Sequence, residues 1–255
     1  MIAGALRALP KPRPLPGFGD TALFLDLDGT LAAIEPRPED VKPEPWRTQL
    51  LLELGERLGG RLAVISGRSL EEVDRILEGS VTAIAAVHGL VRRKADGGLE
   101  QAPPDPDLPR ARQRLEDLAS VHPGLTLEDK GLSVALHYRL APEADEVVRS
   151  EARSVAADTG LRLQLGDMVA ELCTPGLDKG SAVRAFMKET PFKGAAPVFV
   201  GDDLTDEHGF RAARNLGGAG VLVGPLRPTA AELRLDSVDA VRAWLEAALM
   251  QDAES

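Results

Sequence analysis

Short apolar runs alternate with amphipathic segments over much of the chain. The run from Ala22 to Leu25 is uninterrupted, as in a parallel strand that is buried on both faces. The segment that begins at Pro45 instead repeats its apolar residues every three to four positions, which indicates a helix. The further predicted strands of this pattern are 61–66, 81–87, 197–200 and 220–223, and the predicted helices are 45–59, 70–77, 178–188, 207–215 and 238–250.

Two features make this pattern specific. Strands that alternate with helices predict an α/β fold with a doubly wound parallel sheet, the Rossmann-like arrangement. Ser69 is a good N-cap for the helix 70–77, and Glu72 stands at the position that completes a capping box.

The middle of the chain has a different texture. The proline-rich segment 102–109 is typical of a linker. The alternating segment 132–140 predicts a half-exposed antiparallel strand, and Gly166-Asp167 resembles a hairpin turn. The order helix, two strands, helix, two strands predicts an α+β insert. We therefore expect a core formed by 1–104 and 175–255, interrupted by a cap domain at 105–174.

Composition narrows the class of protein. A formal net charge of -10 argues against a nucleic-acid-binding surface. The single cysteine, Cys173, excludes an internal disulfide and suits a reducing cytoplasm. No apolar run approaches the length of a membrane span, and the segment 1–16 lacks the apolar core of a secretory signal, which is typical of a loose leader. We expect a monomeric cytoplasmic protein that binds neither nucleic acid nor membranes.

Polar residues gather where the predicted strands end or a helix begins. Since parallel strands bring such ends to one edge of a sheet, these side chains are expected to surround one pocket. Five carboxylates there cannot all ionise without a cation, and Mg²⁺ is the natural occupant. A small hydroxyl and a lysine would hold phosphoryl oxygens. The clusters are Asp26 and Asp28, Ser66 and Arg68, Lys179, and Asp202, Asp203 and Asp206.

The Asp26-Leu-Asp28 motif alone is ambiguous. Two acids at a strand end can bind a divalent cation, perform acid chemistry, or supply a nucleophile that forms an aspartyl-phosphate. Most isolated D-x-D motifs are solvated acidic turns after a strand. The other three clusters weigh against a solvated turn here.

These motifs resemble the haloacid-dehalogenase-like (HAD) phosphatases. The shared features are D-x-D-G-T, a strand-end serine, a lysine before a helix and G-D-D-x-x-D, in this order. The resemblance implies an HAD-like core with Asp26 as nucleophile, Asp28 as general acid and base, and Lys179 as a further catalytic residue. It implies Mg²⁺ bound by Asp26, the Asp28 carbonyl and Asp202, with Asp203 and Asp206 behind them.

Four further residues near these motifs are expected to bind the substrate. They are Thr30, Ser66, Gly67 and Arg68. For Arg68 a salt bridge at the entry of the helix 70–77 is as plausible as a substrate contact.

A finer resemblance, to the trehalose-6-phosphate phosphatases, covers nearly the whole chain. It is carried by Ile65-Ser-Gly-Arg68, His88-Gly89, Glu128-Asp-Lys130-Gly131, Leu136-His-Tyr-Arg139, Glu171, Pro175, Lys179-Gly180 and Gly201-Asp-Asp-Leu-Thr-Asp-Glu207. In that family the insert is a cap that closes over the disaccharide. The resemblance implies that Glu128, Lys130, Arg139 and Glu171 hydrogen-bond glucose hydroxyls; taken alone, these charges would be a solvated strand face.

Two positions depart from that family. Asp167 stands where a lysine is usual, four residues before Glu171, and Val91 stands where a glutamate is frequent, two residues after His-Gly. The leading hypothesis is Mg²⁺-dependent hydrolysis of trehalose 6-phosphate. The departures keep open the same chemistry on another sugar phosphate. A non-catalytic sugar-phosphate sensor and a mutase are also open.

Overall fold

The computed structural model describes residues 8–13 and 19–251. Much of the segment expected to be a leader, 1–7 and 14–16, lies outside the described residues. The strands are β1 (Thr21–Leu25), β2 (Leu62–Ile65), β3 (Ala83–Ala86), β4 (Val91–Arg93), β5 (Leu99–Gln101), β6 (Thr126–Asp129), β7 (Ser133–His137), β8 (Arg162–Gly166), β9 (Val169–Cys173), β10 (Ala196–Gly201), β11 (Ala219–Val223) and β12 (Leu233–Leu235). The helices are α1 (Pro45–Arg57), α2 (Leu70–Leu77), α3 (Leu108–Val121), α4 (Asp145–Thr159), α5 (Lys179–Phe186), α6 (Glu207–Asn215) and α7 (Val238–Gln251).

The chain forms two compact units. Among the described residues, the core unit comprises 8–13, 19–100 and 178–251, and the insert unit comprises 101–177. In the part of the chain that the structure describes, no helix is both long and apolar enough to cross a lipid bilayer.

The core unit is built on a large sheet in the order β12-β11-β10-β1-β2-β3-β4-β5. The pairs from β12 to β3 are all parallel, and β4 runs antiparallel to β3. Every residue of β1 is buried, as its uninterrupted apolar sequence predicts. The doubly wound parallel sheet is confirmed.

The position of β1 sets the place of the site. Leu25 pairs with Val200 of β10 on one side and with Val64 of β2 on the other, so the three strands end almost level. In sheets of this kind, ligands bind at the carboxyl ends where neighbouring connections diverge. The polar residues that follow β1, β2 and β10 therefore meet at one edge.

An aromatic cluster fixes α5 on one face of this sheet. The ring of Phe24 in β1 lies 6.1 Å from that of Phe186 in α5 and 5.5 Å from that of Phe192. All three side chains are buried. Since aromatic pairs at such distances contribute beyond their buried area, this packing sets α5 firmly against β1.

The insert unit has the predicted order of helices and strands. Its antiparallel sheet runs β6-β7-β9-β8. Leu136 and Leu172 on one face pack with apolar residues of α3 and α4, including Leu115 and Val148. Because side chains alternate along a strand, the opposite face carries polar residues such as Glu128 and Glu171.

Several predicted boundaries were wrong, and three strands were missed. The strand predicted over 81–87 ends at Ala86, because Val87 and His88 adopt positive φ angles of 47° and 56° in a tight turn. The strand predicted over 132–140 ends at His137. The β4–β5 hairpin was not predicted, since its strands are short and β5 is exposed. The three-residue β12 was also missed, because the charged Arg234 interrupts its apolar sequence.

Candidate active site

A buried lysine lies at the centre of the site. The Nζ atom of Lys179 donates to Oδ1 of Asp26 at 2.8 Å and to Oδ1 of Asp206 at 2.6 Å. Burial alone would lower the pKa of Lys179, but the charges of Asp206 and Asp26 raise it above its ordinary value. The ammonium is therefore held in its charged form, facing the end of β1.

The position of Lys179 follows from local sequence. Asp178 caps α5 by accepting from Ser181 N at 2.6 Å, while Ser181 Oγ accepts from Asp178 N at 2.7 Å. This reciprocal pair starts the helix at Lys179. In the sequence either Asp178 or Ser181 could cap this helix, and the structure shows Asp178 as the cap.

Asp206 connects the lysine to the loop after β10. Its Oδ2 accepts from Asp203 N at 2.9 Å, so both of its carboxylate oxygens have partners. A Cβ at Gly201 would lie 2.3 Å from Asp206 Cγ, which explains the glycine at that position. Asp206 thus contacts Lys179 directly. That Asp203 and Asp206 support the metal ligands or Lys179 from behind stays a prediction.

Asp26 and Asp202 have the surroundings expected of cation ligands. Carboxylate oxygens of Asp26, Asp202 and Asp206 all lie within 4.8 Å of one another. Burial and the negative charge of Asp206 raise the pKa of Asp26 well above its ordinary value. The same two causes raise the pKa of Asp202 to about 7.

The surroundings of the Asp202 carboxylate fit a divalent cation. The Oδ1 atom of Asp202 is buried and has no hydrogen-bond partner within the described part of the chain. Gly29, with φ +79°, leaves room for this carboxylate, because a Cβ there would lie 2.2 Å from Asp202 Oδ2. Hard carboxylate oxygens without donors fit a divalent cation of the Mg²⁺ type.

Asp28 is held by Arg68. The Nε and Nη2 atoms of Arg68 donate to the two oxygens of Asp28, each at 2.7 Å. The Nη1 atom donates to Pro38 O at 2.8 Å and to Glu72 at 3.1 Å. The salt bridge considered for Arg68 is therefore present. A substrate contact of Arg68 stays a prediction.

Three more predicted substrate-binding residues, Ser66, Thr30 and Gly67, belong to the loops that carry Asp28 and Arg68. Ser66 is buried, and its Oγ accepts from Arg68 N at 3.1 Å, which leaves its proton for another acceptor. Thr30 is fully buried, and its Oγ1 has no hydrogen-bond partner among the residues that the structure describes. Gly67 packs against the His88 ring, since a Cβ there would lie 2.5 Å from it.

The strained turn after β3 holds this loop. His88 N donates to Ser66 O at 2.9 Å, and Val87 N donates to Arg68 O at 2.9 Å. A positive φ at a β-branched residue such as Val87 is costly and persists only where its surroundings enforce it. The His88-Gly89 motif therefore has a structural explanation: it fixes the backbone of residues 66–68.

The insert unit brings three of its four predicted residues together. Lys130 Nζ lies 3.2 Å from Glu171 Oε1 and 3.7 Å from Glu128 Oε2. Burial would lower the pKa of Lys130, but the charges of Glu171 and Glu128 raise it. Ser133 donates to Glu171 at 2.5 Å, and His137 bonds Glu128 at 2.7 Å. Lys130, Glu128 and Glu171 thus form a charged group on the polar face of the insert sheet.

Arg139 has a different partner. Its Nη2 donates to Oδ2 of Asp167 at 2.8 Å and to the Asp167 carbonyl at 3.1 Å. Asp167, the departure in the β8–β9 turn, is thus paired with Arg139. The other departure, Val91, pairs with Ala86 at the start of β4.

The profile of a family described as trehalose-phosphatase matches residues 24–239. A trehalose-6-phosphate phosphatase of Escherichia coli (strain K12) is 40% identical over 239 residues, which cover 92% of this chain and 90% of the relative. The chain belongs to the trehalose-phosphatase family.

Solved structures of this family and of HAD phosphatases share the fold. The crystal structure of a trehalose-6-phosphate phosphatase related protein superposes with a TM-score of 0.76 at 30% identity, covering 91% of this chain and 98% of that chain. A phosphatase of the HAD superfamily from Bacteroides thetaiotaomicron has a TM-score of 0.59 at 19% identity, covering 95% of this chain and 98% of that chain. The predicted HAD-like core is confirmed.

Sequence reasoning did not find the contacts of three residues that bind predicted site residues. Ser133 and His137 bind Glu171 and Glu128, and their alternation along β7 was a usable signal. Arg227 donates to the backbone carbonyls of Asp202 and Asp203. An arginine that binds backbone atoms of a distant loop leaves no motif in a single sequence.

The raised pKa of Asp202 predicts that the cation-free protein loses stability as the pH rises. An acid whose folded pKa exceeds its unfolded value destabilises the fold as pH rises from about 4 to 7. Asp202→Asn should therefore raise the free energy of unfolding at pH 8 by about 1–3 kcal/mol, a range reduced for partial exposure. The same variant should lose most of the stabilisation that Mg²⁺ gives the wild type.

Thermal and urea unfolding with and without Mg²⁺ measure both effects, with Asp20→Asn in an exposed turn as the control. An Asp202→Asn protein that is less stable than wild type at pH 8, yet gains as much from Mg²⁺, would contradict this assignment.

Proposed function

We propose that this protein is a Mg²⁺-dependent phosphatase that hydrolyses trehalose 6-phosphate to trehalose and phosphate through an aspartyl-phosphate. The observation that carries the proposal is the grouping of Asp26 with Lys179 and Asp202 at the end of β1. The choice of sugar is supported by the match to the trehalose-phosphatase family and by the relative from Escherichia coli.

In the first step Asp26 attacks phosphorus, and the bond from phosphorus to the sugar oxygen breaks. Lys179 lies 2.8 Å from Asp26 Oδ1, which leaves the other oxygen of Asp26 to act as the nucleophile. Ser66 and Lys179 bind phosphoryl oxygens and so hold phosphorus in line with Asp26. Asp28 gives a proton to the leaving sugar oxygen.

In the second step Asp28 removes a proton from water, which attacks phosphorus. The bond from phosphorus to Asp26 breaks, phosphate leaves, and the Asp26 carboxylate is restored. Both roles require the Asp28 carboxylate to face the reacting oxygen. Its pair with Arg68 therefore opens during the reaction, and Arg68 can then contact the substrate phosphate.

Asp26 and Asp202, together with the Asp28 carbonyl, would hold Mg²⁺. When bound, Mg²⁺ supplies Lewis-acid stabilisation of the phosphoryl charge. It also offsets the repulsion among Asp26, Asp202 and Asp206, whose oxygens crowd within 4.8 Å of one another.

The insert unit supplies the sugar contacts in this proposal. Glu128, Lys130 and Glu171 present charged donors and acceptors that suit glucose hydroxyls. Arg139 is a fourth proposed contact, set by Asp167. The monomeric state, the cytoplasmic location and the absence of nucleic-acid and membrane partners stay predictions.

A phosphatase for another sugar phosphate is the second candidate. It is favoured by Val91 and Asp167, which change the polar groups relative to the family pattern.

A panel of sugar phosphates with and without Mg²⁺ separates the candidates. Trehalose 6-phosphate should have the highest kcat/KM, and Asp26→Asn should lower phosphate release by at least about a thousandfold.

The same panel tests the choice of sugar, the sensor hypothesis and the role of Asp26. A higher kcat/KM for sucrose or hexose phosphates would overturn the choice of sugar and leave the chemistry intact. Binding without phosphate release would favour the sensor. Substantial release by a folded Asp26→Asn protein would contradict the role of Asp26.

The sugar role of the insert unit predicts a selective effect of Glu171→Gln. This change removes the charge that faces Lys130 and Ser133 while keeping the shape of the side chain. The KM for trehalose 6-phosphate should rise by about tenfold or more, since a charged hydrogen bond contributes about 1.5–3 kcal/mol. The kcat/KM for p-nitrophenyl phosphate, which has no sugar, should stay within about twofold of wild type.

Steady-state kinetics on both substrates measure this split, with the exposed Glu146→Gln as the matched control. An equal loss on both substrates would show a structural role for Glu171 and contradict the assignment.

A further inference from the structure

We propose that Arg227 is a positioning residue that fixes the backbone of Asp202 and Asp203 in the form that binds a divalent cation. The inference rests on the proposed function, which makes Asp202 a cation ligand. It assigns a role to a residue outside every motif described above.

Arg227 lies in the loop between β11 and β12 and reaches the loop that follows β10. Its Nη2 atom donates to the carbonyl oxygen of Asp202 at 3.0 Å and to that of Asp203 at 2.7 Å. One side-chain nitrogen therefore holds two successive peptide groups. The Arg227 side chain is only 21% exposed, so these bonds are largely shielded from water.

Glu207 completes the arrangement. It is the first residue of α6 and is buried. Its Oε1 accepts from Arg227 Nη1, and its Oε2 accepts from Ala230 N at 2.7 Å. Glu207 thus orients the guanidinium and also binds the loop that carries it, so Arg227 has little freedom to leave the two carbonyls.

The remaining bonds of the turn show why this matters for the cation. Asp206 Oδ2 accepts from Asp203 N at 2.9 Å, and Asp206 N donates to the Asp203 carbonyl at 3.1 Å. Arg227 fixes the carbonyls on either side of that amide. The direction of the Asp202 carboxylate, which lies against Gly29, depends on those peptide planes.

The choice of backbone acceptors has an electrostatic consequence. A cation that paired directly with the Asp202 carboxylate would compete with a metal ion. Arg227 instead places its charge behind the ligand and leaves Asp202 Oδ1 without a donor among the described residues. It therefore lowers the repulsion among the carboxylates while keeping a metal-binding oxygen available.

A general anchoring role for the β11–β12 loop is the competing explanation, and Arg214 provides the matched control. Arg214 Nη1 donates to Ala230 O at 3.1 Å, and its Nε lies 3.4 Å from Glu232 Oε1. Arg214 thus contacts the loop that carries Arg227. These contacts involve neither Asp202 nor Asp203.

The test is direct Mn²⁺ binding to the cation-free protein. The electron paramagnetic resonance signal of free Mn²⁺ measures the unbound ion. Mn²⁺ accepts the same carboxylate ligands as Mg²⁺. Arg227→Met should raise the Mn²⁺ Kd by about 10- to 100-fold, the usual effect of losing a residue that orients a metal ligand. Arg214→Met should stay within about twofold of wild type, with a similar loss in the Tm of the cation-free protein.

Equal Mn²⁺ affinities for Arg227→Met and Arg214→Met would overturn this inference and leave the proposed function standing. No Mn²⁺ binding by the wild type would overturn both. If Arg227→Met does not fold, Arg227→Lys decides, because one ammonium cannot bridge both carbonyls and Glu207. A folded Arg227→Lys protein should bind Mn²⁺ at least about threefold more weakly, and wild-type affinity would overturn the inference.

Discussion

The structure of the site depends on one constraint: several carboxylates must share a small buried space. Lys179 offsets part of their negative charge, since its ammonium contacts both Asp26 and Asp206. Asp202 keeps a buried oxygen without a partner in the described part of the chain, and its pKa rises to about 7. A divalent cation would satisfy this oxygen and restore the charge balance.

The surrounding backbone leaves room for these carboxylates. Gly29 and Gly201 lie where a Cβ would collide with Asp202 or Asp206. The positive φ of Val87 belongs to a turn that binds the loop with Ser66. Glycines and a strained backbone conformation thus occur beside the candidate catalytic residues, as expected where geometry is fixed for function rather than for stability.

Local signals made part of this structure predictable. The capping box of Ser69 and Glu72 sets the start of α2 as predicted, and α6 has its predicted bounds. The parallel sheet followed from apolar runs, and it brought Asp26 and Ser66 to one edge. By contrast, the contacts of Arg227 join a side chain to backbone carbonyls some 25 residues away. Such contacts depend on tertiary packing and leave no periodic pattern.

The proposed mechanism requires that Asp26 becomes covalently phosphorylated during turnover. The most direct measurement is acid quenching of the first turnover of trehalose 6-phosphate in the presence of Mg²⁺, followed by peptide mapping of the bound phosphate. We expect phosphate on Asp26, formed and lost in step with the release of trehalose and phosphate. Phosphate on a different residue, or a complete first turnover by an Asp26→Asn protein, would contradict it.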